Sequence, residues 1–262
     1  MGTIRDLVVQ ESAAQHEIEV SLSPLVALAD QTYLLLGRAM DAVARWPRTG
    51  ARTVAATKVC AILAARLQNE LRVCCTVSCR GYGLQGMGLA ATMAELLGVL
   101  SYIGDNEERA IEWAKHVDHR KTYPPRVNDG IDAVAAALDM TESDASLLRD
   151  QLRGVYTMLC MAKHANPRLS MEQGMHIVRG DAYYVRGPDA SRMGIVNSCY
   201  ALLYATWFGL MGVHIFAKRC NDASLRAELQ NESRIRRGER DNLDTVLADM
   251  FAPEPIEQGL TQ

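Results

Sequence analysis

Apolar positions recur at helical spacing through most of this chain, so the pattern predicts one helix after another. The first clear helix starts at Ser23-Pro24, a cap followed by proline at the first helical position. Leu25, Leu28, Leu35, Leu36, Met40 and Val43 carry its apolar stripe to about Trp46, and residues 47–50 break it. A second helix is predicted over 51–75, with Val54, Val59, Ile62, Leu63, Leu67 and Leu71 on one side. An apolar helix over 88–102 follows a glycine-rich turn. Asp105, with Glu108 three residues on, reads as a capping box that opens a charged helix through Lys121.

Proline at 124 and 125 makes the next stretch a turn or extended link, because proline supplies no backbone donor. Residues 131–138 form a short helix, and Thr141 caps a long one that ends at His164 before Asn166-Pro167. Residues 168–189 change character. Their two β-rich runs, 175–178 and 182–185, flank Arg179-Gly180-Asp181 and predict a short hairpin or structured loop. From about Asp189 the pattern becomes apolar all round, and a strongly charged helix over 222–251 closes the sequence before a frayed tail.

The all-round apolar stretch has two readings. Residues 193–217 have no formal charge if His214 is neutral, which is long enough to span a bilayer. The centre of a helical bundle is apolar all round for a different reason, and Asn197, Ser198, Tyr200, Thr206 and His214 favour that reading. No second comparable span is expected. Composition agrees with a globular bundle. Hydrophobic residues are 48% and charged residues 23% of the 262, with aromatics only 6%. A net charge of −3 gives no global pull toward nucleic acid or anionic lipid. Seven cysteines without regular spacing suit reduced thiols, and the charges among the first twenty residues leave no signal-peptide core, so a cytoplasmic location is expected.

Four constellations could carry chemistry. Gly81-Tyr82-Gly83-Leu84-Gln85-Gly86 fits G-x-G-x-x-G, with Val73 to Val77 as its strand and Asp105 as its ribose acid. A nucleotide enzyme needs alternating strands around that turn, and the surrounding pattern is helical, so a turn between packed helices is the stronger expectation. Glu95 is the only charged residue of its apolar helix. Burying it would require a cation or hydrogen-bond donors, for which Arg38, Arg66, Arg80 and His164 are candidates. Tyr156, His164 and Asn166 complete a polar pocket around it. Arg109 and His116 satisfy the R-x(4–6)-H spacing of the HEPN family of helical ribonucleases, in which the histidine would act on the 2′-hydroxyl or leaving oxygen and the arginine on phosphate. Arg234, Arg236, Arg237 and Arg240 form the one basic cluster; it could touch phosphate, and an exposed helix surface is the stronger expectation. Cys75 and Cys79 lack a completing pair, so neither a metal nor a cofactor is expected.

The order of these features resembles an uncharacterised family of bacterial helical proteins. The glycine-tyrosine turn, the A-x-x-M-A-E-L-L run containing Glu95, the Y-I-G-D helix end, V-Y-x-x-L-C-x-x-x-H-A-N-P and the hairpin carry the likeness over residues 25–217. Glu95 and His164 match the family's glutamate and histidine, while Ala91 stands where the family carries an arginine. The resemblance implies a bacterial protein associated with defence or stress response, akin to abortive-infection and HEPN-like proteins. Together these readings predict an all-α bundle of seven to nine helices with one hairpin insertion: an N-terminal segment over 1–22, a core over 23–220, a charged helix over 221–251 and a tail over 252–262. The expected function is a binding or assembly module, with a protein partner or a second copy as its partner. RNA enters only under the ribonuclease reading, with Arg109 and His116 as catalytic residues.

Overall fold

A computed structural model describes residues 4–44, 54–116, 123–124, 126–164, 175–178, 181–184 and 187–250. Nine helices appear among them: α1 (Ile4–Ser21), α2 (Ser23–Ala44), α3 (Val54–Cys79), α4 (Gly83–Ile103), α5 (Glu107–Lys115), α6 (Val127–Ala137), α7 (Glu142–Lys163), α8 (Arg192–Ala217) and α9 (Ala223–Met250). A two-stranded antiparallel hairpin, β1 (Met175–Val178) and β2 (Asp181–Tyr184), pairs Met175 with Tyr184 and Val178 with Asp181. The chain is an all-α bundle with one hairpin, as its periodicity predicts.

α8 is the axis. It packs against α1, α2, α3, α4 and α9, which explains why its sequence has no polar face. Phe208, Leu210, Met211, Val213 and Phe216 are fully enclosed. Ser191 caps it by accepting the Gly194 N–H at 3.3 Å. α4 is the second shared element, lying between α8 and α3 on one side and α6 and α7 on the other. A smaller apolar cluster closes one end of the bundle, where Ile18, Leu22, Leu25, Cys79, Cys199 and Leu202 meet.

Several boundaries differ from expectation. The N-terminal segment forms a helix whose Ala14 and Ile18 are buried, and it meets α2 at a bend of 93°. The charged helix begins one residue later than expected and is shorter. Asn106, not Asp105, caps α5 by accepting the Arg109 N–H at 3.0 Å, and α5 ends at Lys115. Among the described residues two helices, α4 and α8, are long and apolar enough to cross a membrane by length and composition, whereas the sequence pattern singles out only α8. In this fold 61% of the apolar stretch of α4 and 83% of that of α8 are already covered by other helices. The breaks expected at 47–50, the end at Lys121, the Arg179-Gly180 turn and the tail lie outside the described residues.

The glycine fingerprint serves packing. Val73 to Val77, its would-be strand, lies inside α3. Gly81 has φ +90°, and its carbonyl accepts the Asp189 N–H at 2.9 Å. The amides of Gly81, Tyr82 and Gly86 all donate to carbonyls of the same turn. Gly83 and Gly86 then let α4 sit directly on α8, where Ser198 Oγ donates to the Ser78 carbonyl at 2.9 Å. Asp105, the would-be ribose acid, is exposed and lies 3.6 Å from Arg219.

His214 gives α8 a pH-dependent contribution to stability. Burial, with the nearby charges of Arg237 and Lys218, lowers its pKa from 6.5 to about 4, against a smaller opposing pull from Asp139. The unfolded chain therefore binds more protons between about pH 6.5 and 4. The stabilisation is complete above that window and is lost as pH falls through it. Discounted for partial exposure, the loss is about 1 to 2 kcal/mol. Urea midpoints at both ends of the window should differ less in His214→Gln than in the parent. An identical pH slope in the two would show that His214 titrates normally.

Candidate functional site

α7 presents Tyr156 and Lys163 on one face, because residues seven apart are separated by about two helical turns. That face meets α4 at Glu95. Glu95 Oε1 accepts hydrogen bonds from the Tyr156 hydroxyl at 2.9 Å and the Lys163 ammonium at 2.8 Å, and Oε2 accepts from Lys163 at 2.7 Å. The carboxylate side chain is 37% exposed and Lys163 27% exposed, so this is a rim ion pair and not a buried one. Its contribution to folding is accordingly modest. Burial, a hydrogen bond with Cys160 and the neighbouring Glu95 carboxylate raise the Tyr156 pKa well above its usual range, so the hydroxyl stays protonated and remains a donor.

The pair stands at the mouth of a cleft of about 560 Å³ between α4, α6 and α7. Leu96, Val99, Ile131, Val134, Leu152 and Phe208 contribute an apolar floor, and Arg66, His116, Tyr123, Lys163 and His164 stand among its polar lining. α4 and α6 close one wall by crossing at Gly98 and Gly130, where a Cβ on Gly130 would lie 3.1 Å from the Gly98 Cα. Apolar walls with a few convergent polar groups are the usual construction of a small-molecule pocket.

Glu95, Tyr156 and His164 all line this one cleft. Asn166 lies outside the described residues. Arg80 is not part of the group: its guanidinium lies 3.8 Å from Glu11, which also accepts the Tyr82 hydroxyl at 2.8 Å. Arg38 likewise serves elsewhere, bridging to Glu228 and Glu232 on α9. Arg66 lines the cleft but pairs loosely with Glu70 on its own helix. The cation that meets Glu95 is Lys163, which sequence reasoning passed over in favour of its neighbour His164. Its signal was the seven-residue step from Tyr156.

Arg109 and His116 are not brought together on one helix face, because the helix ends between them and His116 follows it with an extended ψ of 101°. Arg109 donates to the Tyr102 carbonyl at 2.7 Å and lies 4.1 Å over the Tyr102 ring. Tyr123 packs edge-on against Tyr102, tilts against His116 and donates its hydroxyl to the Arg109 carbonyl at 3.0 Å. His116 lines the Glu95 cleft and Arg109 does not. All seven cysteines are free, and among the described residues no group of three or more histidine, cysteine or acidic side chains could hold a metal. Comparison with protein-family models, curated proteins and solved structures returns no match for this chain.

Proposed function

We propose that this chain is a helical binding module whose ligand is a small amphipathic molecule held in the Glu95 cleft. The observation that carries the reading is the Glu95–Tyr156–Lys163 cluster at the mouth of an apolar-floored cleft. Lys163 balances the Glu95 charge, so the cluster offers an acceptor and a donor side by side with little net charge. It suits an uncharged or zwitterionic polar head, with the apolar body directed to the floor. A role in bacterial defence follows from the resemblance alone, and the binding chemistry stands without it. The ribonuclease reading requires Arg109 to leave Tyr102 and join His116.

N-Phenyl-1-naphthylamine is a suitable probe, being uncharged, apolar in body and equipped with one N–H donor. Its fluorescence should rise saturably with one equivalent of protein. Glu95→Ala should weaken that binding about tenfold, the scale of a hydrogen bond to a charged acceptor. Non-saturable binding, or equal affinity in Glu95→Ala, would remove Glu95 from any binding role.

A further inference from the structure

The basic cluster of α9 is less exposed than its sequence suggests. Arg236 pairs with Glu239 at 2.8 Å, and Arg234 donates to the Asn231 side-chain carbonyl at 2.8 Å. Arg240 is buried, bound to Asp241 at 2.9 Å and near Asp244 at 3.6 Å, with its guanidinium over the rings of Trp207 and Tyr204. Arg237 has no such arrangement. Among the described residues its guanidinium makes no hydrogen bond and no ion pair at any nitrogen, whereas Arg236 and Arg240, whose Nε atoms are likewise buried without an acceptor, are paired through their terminal nitrogens.

Arg237 lines a second cavity, of about 610 Å³, between α8, α9 and the α6–α7 junction. Leu138, Met140, Leu148 and Met211 supply apolar wall, and Arg234 also reaches it. The charges around it do not cancel. Both acidic residues of the lining, Asp241 and Asp244, are paired with Arg240, and Asp241 also attracts Arg237 electrostatically. Lys218 is taken by Asp139, and the adjacent His214 is neutral near pH 7. A guanidinium cannot shed its proton, and half-burying one without an acceptor is unfavourable. Its planar fork matches a carboxylate or phosphate.

We propose that this cavity is a second binding site, in which Arg237, assisted by Arg234, holds the carboxylate or phosphate of an organic anion whose apolar body lies against Leu138, Met140, Leu148 and Met211. The site is distinct from the Glu95 cleft and goes beyond the function proposed for it.

Isothermal titration calorimetry of the full chain with 1-naphthyl phosphate, 1-naphthoate and inorganic phosphate tests this. At least one naphthyl anion should bind at a single Arg237-dependent site, and inorganic phosphate, lacking the apolar body, at least tenfold more weakly. Arg237→Met should weaken the naphthyl anion at least tenfold. It should also leave the thermal midpoint of the free protein unchanged or raised, because it removes a charge that has no acceptor. Arg237→Lys, which keeps the charge but not the fork, should fall between the two, and it serves if the methionine variant does not fold. A preference for phosphate over carboxylate that Arg234→Gln abolishes would assign the dianion, whereas tighter binding of 1-naphthoate would assign the carboxylate. Absence of binding by both naphthyl anions, undiminished affinity in the Arg237 variants, or equal binding of inorganic phosphate would overturn the proposal. N-Phenyl-1-naphthylamine binding should be the same in parent and Arg237→Met, so failure here is distinguishable from failure of the first site.

Discussion

Gly83→Ala should lower the stability of this protein by about 3 kcal/mol, the upper part of the range for overpacking a closed core. An added Cβ would lie 2.5 Å from the Ser198 backbone nitrogen and 2.7 Å from the Asn197 carbonyl carbon. Those atoms belong to the backbone of α8, so no side-chain rotation relieves the clash. Ser198 and Asn197 are both buried, and α8 is held on its other sides by α2, α3 and α9. The two helices must therefore separate, which also stretches the Ser198–Ser78 hydrogen bond. For a chain of this size the thermal midpoint should fall by about 6 to 12 °C. Gly154→Ala is the matched control. Gly154 lies within α7, with nothing within 4 Å of an added Cβ. There alanine should stabilise the protein by about 0.5 to 1 kcal/mol through helix propensity alone. Urea unfolding followed by circular dichroism measures both. A Gly83→Ala variant as stable as the parent would mean that the α3–α4 turn does not rest on α8.

The same glycines show where local pattern stops being informative. Helical spacing in α2, α3, α7 and α9 is a one-dimensional signal, and it was legible, as were the Thr141 cap and the hairpin. A glycine needed for a nucleotide and a glycine needed for close helix packing look alike in sequence. Only the partner surface, here Asn197 to Ala201 more than a hundred residues away, tells them apart. α1 was missed because most of its surface stays exposed, which leaves a weak stripe anchored mainly by Ala14 and Ile18.

The cleft was half legible for a related reason. Glu95 stands out because it interrupts an apolar helix, and Tyr156 and His164 because they punctuate α7. Which cation meets Glu95 depends on the rotation of α7 about its axis, and that is set by packing against α4 and α6. Lys163 wins by pointing along the same face as Tyr156. The Arg109–His116 spacing assumes one further turn of α5, which ends at Lys115. Arg237 was hidden because a buried and an exposed arginine cannot be distinguished until the opposing wall, from Leu138 to Met211, is in place.

Filling the Glu95 cleft tests whether a small molecule binds there. Thr92 lines the cleft one turn before Glu95 on α4, with its hydroxyl bonded to the Gly88 carbonyl. Thr92→Trp places an indole in the space a ligand would occupy. Thr157→Trp, on the exposed face of α7, adds the same group outside it. Titrated with N-phenyl-1-naphthylamine, the Thr92→Trp protein should lose binding by about a hundredfold or more, since a filled pocket leaves no apolar surface for the probe to bury. Thr157→Trp should bind like the parent. Undiminished binding by a folded Thr92→Trp protein would contradict the account and place the probe elsewhere on the molecule.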